Sequence, residues 1–202
     1  MEERVQNMRG LLFGVGINDS SYTTEKFEYF NDGGISKRKR VWFCPYYVRW
    51  RNMIERCYSK KYHTRKPSYS DCSVCLEWLT FSNFSEWMKG QNWSGLELDK
   101  DILSGDKKVY SPETCLFITK EVNVFMSSSN ADSKAVKYSK RHKSYSSYCS
   151  NPITKTMEYV ASSKDPEVCR GKWLVRKKQI ALKLSAIQDD DRVVKAILTV
   201  YS

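Results

Sequence analysis

The sequence predicts an α+β fold in two parts, and three observations carry that prediction. Residues Leu96 to Met126 read as two short strands feeding a helix. Three strand-like runs follow between Ala135 and Ser162, and Asp165-Pro166 then opens a long helix with apolar side chains on one face. Consecutive short strands followed by one helix make an antiparallel sheet packed on that helix. Between the parts lies 127–133, Ser-Ser-Ser-Asn-Ala-Asp-Ser, small and polar with no apolar anchor, which reads as a linker joining 1–126 to 134–202.

Composition bounds the answer. The 202 residues suffice for one large or two small domains, and 41% hydrophobic with 13% aromatic content supplies material for cores. The net charge is +11, from 34 Lys and Arg against 23 Asp and Glu, and residues 131–202 alone carry +8. Positive charge gathered in one part of a chain points to a polyanionic partner, a solvated basic face being the bland alternative. Met1-Glu2-Glu3-Arg4 is acidic, and Leu11 to Ile17 is short and broken by glycine. Neither a secretory leader nor a membrane span is therefore expected, and the expected location is the cytoplasm. There the seven cysteines are expected as reduced thiols.

Taken in order, Gly10 to Tyr22 predicts a short apolar strand ending in a turn at Asn18-Asp19-Ser20-Ser21. Gly14 and Gly16 do not make a phosphate loop, because no helix opening with Lys-Ser or Lys-Thr follows. Asn31-Asp32-Gly33-Gly34 is a hairpin signal, and the basic run Lys37 to Arg40 after it is either solvated or touches phosphates. From Pro45 to Tyr58, Tyr46, Trp50, Met53, Ile54 and Cys57 form a helical stripe. The loop from Lys60 to Ser70 carries His63, a candidate base weighed against an ordinary solvent-exposed histidine. Cys72-Ser73-Val74-Cys75 precedes a second amphipathic helix with Trp78, Phe81, Phe84, Trp87 and Met88 on its stripe. A lone C-x-x-C lacks the second pair of a zinc site, which Cys44, Cys57 or Cys115 would have to complete without the usual ligand spacing, so structural zinc is not expected.

In the central segment Leu96 and Leu98 alternate with Asp99 and Asp101 as on a strand, Gly105-Asp106 supplies a turn, and Cys115 to Ile118 is a second strand. Thr119 is placed to cap a helix whose Glu121 suits the positive end of the dipole. Asp99 and Asp101, two apart on a strand, are expected on one face, with Asn123 a turn into the helix. Two carboxylates and a carboxamide are oxygen ligands for one hard divalent cation.

Leu98-Asp99-Lys100-Asp101-Ile102, Tyr110-Ser111-Pro112-Glu113-Thr114-Cys115 and Asn123, in this order of strand, loop, strand and helix, resemble the ββα-metal motif of HNH homing endonucleases encoded by bacteriophages. Cys44-Pro45-Tyr46-Tyr47, Trp50-Arg51-Asn52-Met53 and Val74-Cys75-Leu76-Glu77-Trp78 resemble phage members of the same family, so the helices before the motif are expected to wall it. The resemblance implies catalytic roles at Asp99, Lys100, Asp101 and Asn123, with Asp99 and Asn123 holding Mg²⁺ or Mn²⁺. Lys100 stands where the family has its general-base histidine, and no histidine occurs between Leu96 and Met126.

Beyond the linker, Ala135 to Lys140, Ser144 to Ser150 and Thr156 to Ser162 predict three strands, and Cys169, Trp173, Ile180, Leu184 and Ile187 share a face of the helix after them. Arg176 and Lys177 would run their stems along that face. Tyr145 to Pro152, Glu158-Tyr159-Val160 and the long helix resemble the three-stranded Apetala-type DNA-binding domain that often follows the HNH module. Ala135 and Ala161 stand where that family has glycines. The resemblance implies double-stranded DNA as partner, with Lys137, Lys140, Arg141, Lys143, Tyr145 and Tyr148 contacting it. Asp189 to Tyr201 predicts a last helix packed back on the first.

The function expected from these readings is DNA binding, with metal-dependent phosphodiester cleavage of duplex DNA on the HNH pattern. Two alternatives stand beside it: a catalytically inactive DNA-binding regulator, and a phage protein that binds and inhibits a host enzyme.

Overall fold

A computed structural model describes residues 10–105, 107–127 and 135–201. The chain is a mixture of helices and strands. In order these are β1 (Glu25–Asp32), β2 (Ile35–Phe43), α1 (Pro45–Tyr58), α2 (Lys60–Arg65), β3 (Ser73–Val74), α3 (Phe81–Lys89), β4 (Glu97–Asp99), α4 (Asp101–Ser104) and β5 (Val109–Tyr110). There follow β6 (Leu116–Ile118), α5 (Lys120–Ser127), β7 (Val136–Ser139), β8 (Ser144–Asn151), β9 (Thr156–Ser163), α6 (Pro166–Ser185) and α7 (Asp191–Thr199). They divide into two compact units. One joins the chain up to Ser94 to Leu103–Leu116, and the other joins Gly95–Ile102 to Phe117–Ser202. The units thus part inside the central segment. Of the expected linker 127–133, Ser127 closes α5 and the rest lies outside the described residues, as do Asp106 of the expected turn and the acidic N-terminus.

In the first unit β1 and β2 form an antiparallel ribbon, turned by Gly33 and Gly34 with φ of 59° and 83°, left-handed values that glycine adopts without cost. After it, α1, α3 and the turn Leu76–Leu79 between them bury an aromatic core of Trp50, Trp78, Phe81 and Phe84. The Trp50 indole N–H donates to the Trp78 carbonyl oxygen at 2.7 Å, which satisfies the polar edge of a fully buried ring. Gly10 to Tyr22 does not form the expected strand: a turn bridges Leu12 to Gly16, and Ile17 bridges to Thr80. The second predicted helix begins later than its stripe suggests, because Leu76–Leu79 is a 3₁₀ turn and α3 starts at Phe81.

In the second unit β7, β8 and β9 form an antiparallel sheet in that order, packed on α6, with α7 against α6. Asp165 caps α6, accepting the Glu167 N–H at 2.8 Å, and Pro166 occupies the first turn, where its missing N–H costs nothing. Cys169, Trp173, Ile180, Ala181 and Leu184 are buried under the sheet. Ile187 is 66% exposed, because α6 ends at Ser185 and the stripe ends with it. Lys177 takes the stripe position between Trp173 and Ile180 and is only 2% exposed. Its Nζ lies 5.1, 5.5 and 5.4 Å from the ring centres of Phe125, Trp173 and Tyr201, an aromatic cage for a buried ammonium. Among the described residues no helix is long and apolar enough to cross a membrane.

Candidate functional site

The central segment differs from the expected two-strand hairpin. β4 pairs with β6, but α4 and β5 intervene between them, and β5 pairs in parallel with β3. β4 ends at Asp99, and Asp101 opens α4, so these two carboxylates do not alternate along one strand. The reason is local: Asp99 Oδ2 accepts the N–H groups of Asp101 at 2.8 Å and Ile102 at 2.9 Å, an aspartate cap that turns the chain into helix. Asp101 points to solvent and pairs with the Nζ of Lys100, whose own side chain is buried. Lys100 therefore serves as a donor to a carboxylate, not as an acceptor of a proton.

Asn123 sits a turn into α5, which Thr119 caps as expected, its hydroxyl accepting the Val122 N–H at 3.2 Å. The Asn123 Nδ2 donates to Glu97 Oε2 at 2.6 Å. Glu97 lies two residues before Asp99 on β4, and side chains two apart on a strand share a face. Glu97, not Asp101, thus shares the strand face with Asp99 and meets the amide nitrogen of Asn123, whose Oδ1 accepts from the Ser127 hydroxyl at 3.5 Å. The signal for Glu97 was present in the same alternation that singled out Asp99. Burial pushes the Asp99 carboxyl above the usual carboxylate range, against the pull of the Ile102 N–H. A desolvated carboxylate of this kind is relieved by a cation. Among the described residues no group of three or more His, Cys, Asp and Glu side chains is gathered as a metal site of those residues alone would need.

His63 is neither a loop residue nor free. It lies in α2, half-buried, with Nε2 2.8 Å from the Arg56 carbonyl oxygen, so its ring is held by the backbone of α1.

The sheet offers a second arrangement. On β8, Ser147 and Cys149 are buried toward α6, so Ser146, Tyr148 and Ser150 face away from it. Cross-strand partners share a face, which places Lys137 beside Ser146, Tyr159 beside Tyr148 and Met157 beside Ser150 on that outer surface. Tyr148 is 44% and Tyr159 60% exposed, and their rings meet edge to face with centres 5.7 Å apart. The turn from β7 to β8 adds Lys140, Arg141 and Lys143, all exposed at one end of the sheet. Lys143 adopts φ 44°, a left-handed conformation unusual for a lysine.

Of the six side chains expected to contact DNA, Lys137 and Tyr148 are on the outer face and Lys140, Arg141 and Lys143 are in its turn. Tyr145 is on the other face. It is three residues from Tyr148, an odd step that reverses the side of a strand, and it is half-buried opposite Tyr138 with ring centres 4.9 Å apart. Tyr159 and Met157 were missed, although Tyr159 follows Glu158 in a run with strand alternation. Helix contacts fix the sheet from behind. Trp173 donates to the Tyr148 carbonyl oxygen at 3.1 Å, and Arg176 Nε donates to Glu158 Oε2 at 2.7 Å.

Compared with known proteins, the chain matches no family model, no curated protein and no solved structure.

Proposed function

We propose that the chain binds double-stranded DNA through the outer face of the β7–β9 sheet and its basic turn. The observation that carries this reading is an exposed Tyr148 and Tyr159 pair sharing a face with Lys137, with Lys140, Arg141 and Lys143 in the adjoining turn. Cations at the turn neutralise phosphates and set affinity. Side chains standing on a sheet reach base edges in a groove. The resemblance to an Apetala-type domain agrees with this use of a sheet.

Fluorescence anisotropy with a labelled duplex, titrated over salt, tests it. Lys137→Ala lowers the slope of log affinity against log salt by about 1, and Tyr148→Ala weakens binding by about 1–3 kcal/mol. Unchanged binding in both variants contradicts the assignment.

A second reading, cleavage of the bound duplex on the HNH pattern, is favoured by one observation: Glu97 and Asp99 set two carboxylates on one face of β4, and Glu97 meets Asn123 of α5. They would hold Mg²⁺ or Mn²⁺, which supplies Lewis-acid stabilisation of a scissile phosphate. Asp99 is oriented for this by the two α4 N–H groups on its Oδ2. Lys100 donates to Asp101 and His63 is held against the Arg56 carbonyl oxygen, so neither of these two candidates is placed to take a proton from water.

Incubating supercoiled plasmid with the protein and either metal decides this. Nicking that is lost in Asp99→Ala and Glu97→Gln supports the enzyme. Binding without nicking in either metal contradicts cleavage and leaves a DNA-binding regulator.

A further inference from the structure

The β1–β2 ribbon has no part in the sites above, and its exposure is out of proportion to its apolar content. Every residue of β2 is exposed, and so is every residue of β1 except Glu25 and Phe27, which are half-buried. Tyr29 is 70% exposed, Phe30 48% and Trp42 42%. A ribbon that covered a core would bury one face and expose the other. This one buries neither.

Its charge has a matching symmetry. Cross-strand pairing puts Phe27 opposite Arg40 and Tyr29 opposite Arg38 on one face, and Glu28 opposite Lys39 and Phe30 opposite Lys37 on the other. Four consecutive cations on a strand therefore divide two and two between its faces. The guanidinium of Arg38 lies 4.6 Å from the Phe27 ring centre and that of Arg40 5.0 Å from that of Phe43, so the aromatic side chains hold the arginines along the ribbon. Asp32 and Glu25 engage Lys37 and Arg40 at 2.5 and 2.7 Å, whereas Arg38 and Lys39, one per face, form no ion pair within 4.0 Å among the described residues, although Glu28 stands across the ribbon from Lys39.

A flat anionic surface would be met by cations on one face. Cations on both faces fit a partner with an anionic wall on either side, and the major groove of duplex DNA, about 12 Å wide between phosphate backbones, admits a two-stranded ribbon. We infer that the β1–β2 ribbon is a second DNA-binding element, entering a groove with Arg38 and Lys39 directed at opposite phosphate walls. The inference rests on the DNA-binding reading and extends it to a part of the chain that reading does not use.

The test uses the full chain and a labelled duplex, with affinity measured over roughly 50–200 mM salt. Arg38→Ala with Lys39→Ala lowers the salt slope by about 2 and weakens binding alike for unrelated duplex sequences, whereas Arg38→Lys with Lys39→Arg retains the slope. Thermal unfolding that matches the parent certifies the fold of each variant, which the exposure of both sites permits. If the parent binds, Lys137→Ala lowers the slope and the ribbon variant does not, the ribbon inference is overturned and the sheet assignment stands. If the parent does not bind duplex at all, both are overturned.

Discussion

Asp99 has two demands on one carboxylate. It caps α4 through two N–H groups, and it is desolvated enough for its proton affinity to rise. A carboxyl whose folded pKa is raised binds protons more readily when folded, so its contribution to stability is lost as pH rises through the carboxylate range, above 3.8. An asparagine keeps the cap without the charge. Asp99→Asn is therefore expected to equal or exceed the parent in stability at pH 7, an advantage that disappears as pH falls below 3.8, whereas Asp99→Ala loses about 0.5–2 kcal/mol with the cap. Chemical denaturation of the three proteins at pH 7 and pH 3.5 checks both signs. A parent more stable than Asp99→Asn at pH 7 would show that the carboxylate is not penalised by burial. Lys177 makes the complementary point. Its sequence position marked a cation beside an apolar stripe, and the structure seats the whole side chain in the core, where three rings replace part of its hydration.

Among the elements, the β7–β8 hairpin concentrates the proposed DNA contact and also carries strain. Lys143 at φ 44° occupies backbone space that glycine fills at less cost. Lys143→Gly is expected to raise stability by about 0.5–1 kcal/mol and at the same time to weaken duplex binding and lower its salt slope by about 1. Thermal unfolding and anisotropy together check the opposed changes, and a gain in stability with binding intact would remove Lys143 from the contact. The hairpin and its sheet were legible in the sequence because β strands alternate and turns announce themselves: the predicted runs Ser144 to Ser150 and Thr156 to Ser162 fall within β8 and β9. Asp165-Pro166 likewise marked the start of α6. The central segment was legible only in part. Thr119 and the second strand read correctly, but a strand and an Asp-capped helix give the same residue pattern over Asp99 to Asp101, and only the backbone bonds to Asp99 distinguish them.

Across the whole molecule, the sequence indicated where charge lies, +8 of the +11 in residues 131–202, but not which face carries it. Faces depend on which side of a strand is buried, and that is fixed by contacts distant in sequence, such as Trp173 against the Tyr148 carbonyl oxygen. Tyr145 shows the consequence: adjacent in sequence to the basic turn, it lies on the helix side of the sheet. The same limit applies to the ribbon, whose Lys37 to Arg40 run could be seen in the sequence while its division between two exposed faces could not. At this scale we propose that the sheet surface away from α6 receives duplex DNA. Backbone amide NMR of the ¹⁵N-labelled chain, titrated with a short duplex, tests it most directly. The largest shifts are expected at Lys137, the turn from Lys140 to Lys143, Tyr148 and Tyr159. Shifts absent from these residues and clustered on α6 or α7 would contradict it.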